Sequence, residues 1–520
     1  MNAYVLSRYW PALAALIGLR LMFWLGAFPN PDEAYYWVWG QHPAWSYFDH
    51  PPWHAWVQGG FDSLLGRSLW VLRLPNLLSN LLLVGLYGLI CRQLYDRQTR
   101  NAFWLTVLLL FTSPLFFLFL AMAWHDHWLI VFGTAASYCL VKCLSGDRPT
   151  AYPWLYGAGL CIGLAGLAKY LALLMGVGFL VAIASRPSWR SWFANPHLYG
   201  AMLLALAITA PVFWWNAQHE WYSLQFYLGR SVQSEAATTN WWGPLGFLLL
   251  NGLIFGPVHV WLTIQTSSRG FTTRFGTAYQ QVAICVFATS TLLLALLSFR
   301  APVLYYWNIL AYPLLLPLMA GHFLSLHRLF EVRHRRLLQV TAAIGIAAAG
   351  LLTVHFTVLP LSAMAGATGD DDTRMLYGWP TVAAVVKRET APLAERSRLL
   401  TTDYRSAAAL AYVLNDRSVL AISGRIDQFD FWYDAAALAG REAILLGDRW
   451  HPICPSHLAM FERTDPPTTI PVERWGVPIK EYTLIRGYGF QPLAESPLAA
   501  DYPLAFTSDG ETCSPDETSP

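Results

Sequence analysis

Apolar residues in this chain come in long runs. Segments near 9–28, 74–91, 101–120, 127–144, 153–168, 170–185, 198–215, 245–265, 277–297, 304–321 and 338–358 are apolar over about the twenty residues a helix needs to cross a hydrocarbon core. They predict about eleven transmembrane helices. The fifth and sixth are short and poorly separated, either a hairpin of two truncated helices or one longer irregular element. After residue 358 the pattern changes at the polar stretch "GATGDDDTRMLYGWP". Beyond it, "TVAAVVKRE" and "RSAAALAYVL" carry helical apolar spacing, whereas "RLLTT", "SVLAIS" and "AILLGD" are short β-rich runs bounded by polar residues. Strands alternating with helices predict a small α/β domain with a partly parallel sheet. The terminal "SDGETCSPDETSP" predicts a disordered end. The expected organisation is a mainly α polytopic membrane domain over 1–358, with a first outer loop at 29–73, and a C-terminal α/β domain over 359–520.

Composition agrees with that class: 55% of the 520 residues are hydrophobic and 13% charged, against roughly 25% charged in an ordinary soluble domain. Lys and Arg favour cytoplasmic loops. With eleven spans and the N-terminus inside, fourteen cations fall on inner loops and five (Arg67, Arg73, Lys169, Arg230, Arg300) on outer ones, with Arg20 inside the first span. That asymmetry predicts a cytoplasmic N-terminus, and places the 29–73 loop and the C-terminal domain outside. The formal charge of +2 hides two halves: residues 1–358 carry 20 basic and 10 acidic side chains (+10), and residues 359–520 carry 14 and 22 (−8). A nucleic-acid partner is not suggested. The first apolar run lacks a small-residue cleavage site and reads as an uncleaved span. Cys91, Cys139, Cys143, Cys161 and Cys285 lie in or beside spans as small apolar residues. Cys454 and Cys513 stand in the outer domain, either free or paired if the compartment is oxidising.

The candidate chemistry gathers on the outer loops. "NPDEAYYWVWGQHPAWSYFDHPPWHAW" places Asp32, Glu33, Asp49, His42, His50 and His54 directly after the first span. Its Tyr and Trp residues, taken singly, fit an interfacial aromatic belt. The acids do not, because a carboxylate near lipid loses solvation and needs a partner. Two uses are open: a general base for an attacking hydroxyl, or a metal site in which Asp49 and His50 help neutralise a phosphate leaving group. "AWHDHWL" sets His125, Asp126 and His127 at the mouth of the fourth span, where an acid also suits the positive end of a helix. Lys169, Arg230 and Arg300 either snorkel at helix ends or hold a phosphate headgroup.

"DEAYYWVW" followed by "YFDHPPWHAW" resembles the first outer loop of bacterial glycosyltransferases related to the protein O-mannosyltransferases and the lipid A aminoarabinose transferase. Further matches follow in order: "GLAGLAKY", "NAQHEWYSLQFYLGR", "RAPVLYYWNILAYPL", "YGWP", "YRSAAALAYVL" and "GRIDQFDFW". The resemblance implies a GT-C fold in the bacterial inner membrane, with the active site on the periplasmic side. It implies transfer of a sugar from a polyprenyl-phosphate donor to a glycan, lipid or protein acceptor, with inversion. On the matching positions Asp32 is the catalytic carboxylate, with Glu33 beside it, and Asp126 is the second outer-loop acid. Asp49 and His50 fall where relatives place an acidic metal ligand and a cation near the donor phosphate. His50 stands where the aminoarabinose transferase has lysine, so Arg230, Arg300 and Lys169 are the better phosphate contacts. His125 is a further candidate ligand for a divalent ion. Tyr35, Tyr36, Tyr306 and Trp307 are expected against the sugar or isoprenoid. Arg425, Gln428 and Trp432 either fold over the acceptor side or serve structure alone. A lipid-linked-sugar flippase also needs many spans and cavity-facing charges. The concentration of acids and histidines on one face, with a folded outer domain, favours the enzyme.

Overall fold

The structure, a computed structural model, describes residues 4–147, 149–232, 239–267, 270–325, 331–366, 372–391, 397–423, 426–491, 505–507 and 510–513. The chain forms two compact units: Met1–Leu21, Ala44–Val57 and Arg73–Leu352 make the first, and Met22–Pro43, Gln58–Leu72 and Thr353–Pro520 the second.

Among the described residues, five helical runs are long and apolar enough to cross a membrane: Arg8–Gly26, Leu69–Thr112, Asp126–Ser145, Arg274–Leu297 and Arg335–Thr357. Two bent pairs, Pro196–Ile208 with Ala210–Gln218 (48°) and Gly243–Phe255 with Pro257–Thr266 (101°), raise the number to seven if each is one span. By length and composition this does not confirm eleven, since hydropathy does not register breaks or helix length. Gly256 adopts φ 117° just before Pro257, and the helix stops there. The run Leu69–Thr112 holds two of the expected spans and is interrupted at Asp96, whose φ is 40°. Tyr152–Ala168, Ala172–Ser185 and Leu315–Leu324 are apolar but shorter.

In lipid, helices associate through close packing rather than hydrophobic burial, which favours small residues at crossings. Gly159 meets the Ala201 backbone so closely that a Cβ there would lie 2.4 Å from the carbonyl oxygen. A side chain at Gly159 would therefore force the Tyr152–Ala168 and Pro196–Ile208 helices apart. The short Pro114–Phe119 helix ends inside the first unit, and its last carbonyls need donors. Arg20, buried, supplies them: its guanidinium donates to the carbonyls of Phe116 (3.0 Å) and Phe117 (2.9 Å) and to Asn80 Oδ1 (3.1 Å). Asn80 donates to the Leu120 carbonyl at 2.9 Å, and Asn76 donates to the Met122 carbonyl. These contacts fix the irregular segment that leads into His125 and Asp126.

The second unit holds a mixed sheet. The runs identified above become β1 (Arg398–Thr401), β2 (Leu420–Ala421) and β3 (Ala443–Asp448). They are followed by β4 (Phe461–Thr464), β5 (Thr468–Arg474) and β6 (Val477–Phe490). The order is β2-β1-β3-β6-β4, with β5 also on β6. β2 and β3 lie parallel to β1, and the pairs with β6 are antiparallel. The two-residue turn between β5 and β6 is Trp475-Gly476, both at positive φ (53° and 76°), as a right-twisted hairpin requires. The segment expected to be disordered is in part ordered: Gly510–Thr512 pairs with Ala505–Thr507, and Cys513 is bonded to Cys454. Cross-linking residues 59 apart restricts the unfolded chain, so Cys513→Ser is expected to destabilise this unit by about 2–5 kcal/mol. Chemical denaturation followed at Trp379, with and without reductant, measures it; coincident curves would contradict the bond.

Candidate active site

In the first unit the chemistry centres on a nearly dry ion pair. Lys169 follows directly on the Tyr152–Ala168 helix, whose chain turns extended at that residue (φ −160°, ψ 139°). Its Nζ lies 2.8 and 2.9 Å from the two Asp126 carboxylate oxygens, and the side chains are only 7% and 4% exposed. The ammonium also sits 4.9 Å from the centroid of the Tyr306 ring, a favourable face for a cation. Tyr306 packs on Phe119 at 4.9 Å, and Phe119 on Tyr305 at 6.2 Å. Phe119 and Tyr305 in turn line an apolar cavity of about 420 Å³ bounded by Leu115, Leu253, Pro257 and Ile344. A charged head and an apolar slot thus share one aromatic wall.

Beside the pair lies a chain of imidazoles. Ring centroids are 4.5 Å apart for His50 and His125, 5.0 Å for His54 and His125, and 5.4 Å for His54 and His127. His127 Nδ1 is 2.8 Å from Ser79 Oγ. Burial pushes the His54 pKa down to about 3, and burial, with neighbouring His50, His54 and Lys169 charge, pushes His125 down as well. Both are neutral at pH 7. Because the unfolded chain binds protons near pH 6.5 and folded His54 does not, its contribution is complete above that pH and is lost as pH falls towards 3. The thermal stability of the whole protein is therefore expected to fall from about pH 6.5 downward. His54→Gln should flatten that slope; an unchanged slope would refute the assignment.

The 47–50 loop is held by the Tyr222–Val232 helix. Ser223 Oγ donates to the Tyr47 carbonyl (3.3 Å), and one turn on the Tyr227 hydroxyl donates to the Asp49 carbonyl and lies 3.0 Å from His50 Nδ1. The expected metal set is therefore not assembled. Asp49 meets Tyr227 through its backbone, His50 uses a ring nitrogen on the same hydroxyl, and among the described residues no three His, Cys, Asp or Glu donors are placed to hold an ion. Asp49 and His50 are hydrogen-bonded to Tyr227, and the His50 ring lies tilted 4.5 Å from the His125 ring instead. Arg300 is exposed just beyond the Arg274–Leu297 helix, and Trp307 is half-buried. Arg230 is in the Tyr222–Val232 helix, and its side chain lies outside the described residues.

In the second unit, Asp32 and Glu33 open the Pro31–Gln41 helix. Asn30 accepts from the Asp32 N–H (3.0 Å) while Glu33 Oε2 accepts from the Asn30 N–H (2.8 Å), a capping box with proline in the first turn. Glu33 is fully buried in this structural role; Asp32 is half-buried. Tyr35 is also buried, its hydroxyl accepting from the Gln428 N–H at 2.6 Å and its ring stacking on Phe429 at 5.7 Å. Tyr36 packs on Trp39, and Trp432 stacks on His42 at 4.5 Å. Gln428 and Trp432 thus pack against the Asp32 helix, and Arg425 lies outside the described residues.

Residues 49–215 match the family model described as dolichyl-phosphate-mannose-protein mannosyltransferase. The lipid A galacturonosyltransferase RgtD of Rhizobium johnstonii is 25% identical over 235 residues, 42% of this chain and 47% of that protein. The match spans about half the length of that relative. Crystal structures of ArnT from Cupriavidus metallidurans share the fold. The complex with undecaprenyl phosphate gives a TM-score of 0.61 at 17% identity, covering 92% of this chain and 98% of ArnT, and the apo form gives 0.58 at 16%. The chain therefore matches that mannosyltransferase family model over residues 49–215 and shares the fold of ArnT. The matched segment 49–215 contains the 49–50 loop, the four imidazoles, Asp126 and Lys169. Ser79, Asn76, Asn80, Ser223 and Tyr227 position it and were not singled out from sequence. The first three had a signal, since polar residues at i, i+3 and i+4 within an apolar helix mark a face turned away from lipid.

Proposed function

We propose that the chain transfers a sugar from a polyprenyl-phosphate donor to a hydroxyl acceptor on the periplasmic side of the bacterial inner membrane, with inversion at the anomeric carbon. The observation that carries this reading is the dry Lys169–Asp126 pair sharing the Tyr305–Tyr306–Phe119 wall with an apolar cavity. An isoprenoid chain suits the cavity, and its phosphate suits the lysine. On this reading Lys169, helped by Arg230 and Arg300, stabilises the charge that builds on the departing phosphate, the term of largest effect in such transfers. Asp126 holds Lys169 in place. The acceptor oxygen attacks as the anomeric C–O bond breaks, and Asp32 takes its proton. The assignment of Asp32 rests on the sequence resemblance. ArnT crystallised with undecaprenyl phosphate supports the donor class. The Cys454–Cys513 bond supports an oxidising compartment for the second unit. No step is routed through a metal, since among the described residues no three His, Cys, Asp or Glu donors are grouped to hold one.

The test is transfer of radiolabelled sugar from an extracted polyprenyl-phosphate pool by the purified protein and by Lys169→Met. Transfer by the first alone supports the reading. Equal transfer by both removes Lys169 from it, and no transfer by either from a broad donor pool favours a flippase.

A further inference from the structure

The second unit contains a cavity that the transfer chemistry leaves unused. It measures about 790 Å³ along β5 and β6, with the loop after β3 also on its lining, a size typical of small-molecule sites. Successive strand residues alternate between faces, so Ile479, Glu481, Thr483 and Ile485 share one face of β6 and Lys480 lies on the other, and all five border the cavity.

The lining also includes Asp448, the last residue of β3, and Lys480, whose Nζ lies 3.0 Å from Asp448 Oδ2; the side chains are 1% and 0% exposed. A dry pair of this kind stabilises no more than apolar residues of the same size. It sits at a telling place in the topology. β2 and β3 flank β1 on opposite sides in a parallel arrangement, so the carboxyl ends of β1 and β3 form the switch point outside which α/β sheets take their ligands. Asp403, two residues beyond β1, joins the same network: Arg405 Nε is 3.3 Å from Asp403 and its NH2 is 2.8 Å from His451 Nε2, while the His451 N–H donates to Asp448 at 2.6 Å.

The lining defines the ligand's chemistry. Glu473 and Glu481 are exposed at the opening, with Thr464, Asp465 and Thr483 half-buried beside them. Lys480 is engaged by Asp448, the Arg374 guanidinium donates to the Ile479 carbonyl at 3.0 Å, and Arg449 is an exposed cation on the lining, against the exposed Glu473 and Glu481. Carboxylates therefore outweigh cations at the rim, which disfavours phosphates and other anions. Carboxylate and threonine oxygens that accept O–H bonds, above an aliphatic floor of Ile479, Ile485 and Pro471, match a molecule with hydroxyls on its edge and C–H groups on its face. We propose that this cavity binds a neutral, hydroxyl-rich saccharide, at a site separate from sugar transfer.

The test uses full-length protein in lipid nanodiscs without any lipid-linked donor, so its outcome is independent of whether transfer occurs. Saturation-transfer NMR is recorded with maltohexaose and chitotetraose, and with spermine as a cationic probe. Transfer to ring protons of at least one saccharide is expected. Glu473→Ala/Glu481→Ala should weaken it about tenfold or more, since each carboxylate removed takes away charged hydrogen bonds. Thr483→Val checks the same wall. Both glutamates are exposed, so the unfolding temperature should stay that of wild type. Silence from both saccharides, equal signals in the double variant, or binding of spermine alone would each overturn the proposal.

Discussion

Asp32→Asn is expected to lower sugar transfer by about 10²–10⁴-fold, the range for losing a general base, while leaving the fold intact. Stability should hold because the capping box does not need the Asp32 carboxylate: the Asp32 N–H donates to Asn30 Oδ1, and the box is completed by Glu33. Asparagine gives up the favourable meeting of a negative charge with the helix N-terminus, about 0.3–1 kcal/mol. Radiolabel transfer measured alongside thermal unfolding separates the two. Full activity in Asp32→Asn would remove the residue from the chemistry. Loss of activity together with collapse of the fold would make the role structural. Glu33→Gln is the contrasting substitution, because it strikes a fully buried capping partner and should show first in the unfolding temperature.

The second large effect concerns Lys169 and Asp126. Removing one member of a buried ion pair leaves the other uncompensated, so Lys169→Met alone is expected to destabilise the protein by about 3–5 kcal/mol as well as abolish transfer. The double variant Lys169→Met/Asp126→Leu removes both charges and should recover most of the stability. If Lys169 binds the donor phosphate, transfer stays lost in the double variant. Recovered transfer would show that the pair only holds helices together. Denaturant unfolding and transfer on the same four preparations complete the cycle.

The class of the protein was legible because its physics is dominated by apolar runs, and the α/β tail was legible because β1, β3 and the Tyr404–Leu414 helix have clean local periodicity. Helix breaks were harder. Gly256-Pro257 carries a local signal, but whether it bends a span by 101° depends on what receives the freed carbonyls. At the site, residue types pointed to Asp126, Lys169 and the histidines. The partnerships among them depend on contacts across 43 residues for Lys169 and Asp126, and 177 for Tyr227 and His50, which no local pattern encodes. For the expected metal set, no three His, Cys, Asp or Glu donors are grouped among the described residues, and a tyrosine far along the chain meets the Asp49 backbone carbonyl and a His50 ring nitrogen.

The second unit is assembled from three separated stretches, Met22–Pro43, Gln58–Leu72 and Thr353–Pro520. Its buried Tyr35 and Trp37 are made early, yet their partners Tyr404, Tyr412 and Phe429 emerge from the ribosome hundreds of residues later. Domains are generally completed as they are synthesised, from the N-terminus onward. Here the Pro31–Gln41 helix must wait, with its aromatic face uncovered, until nearly the whole polypeptide has been translated. At translation rates of about 5–20 residues per second that delay lasts about 20–80 s, long enough for membrane chaperones or the interfacial lipid to act as a temporary cover.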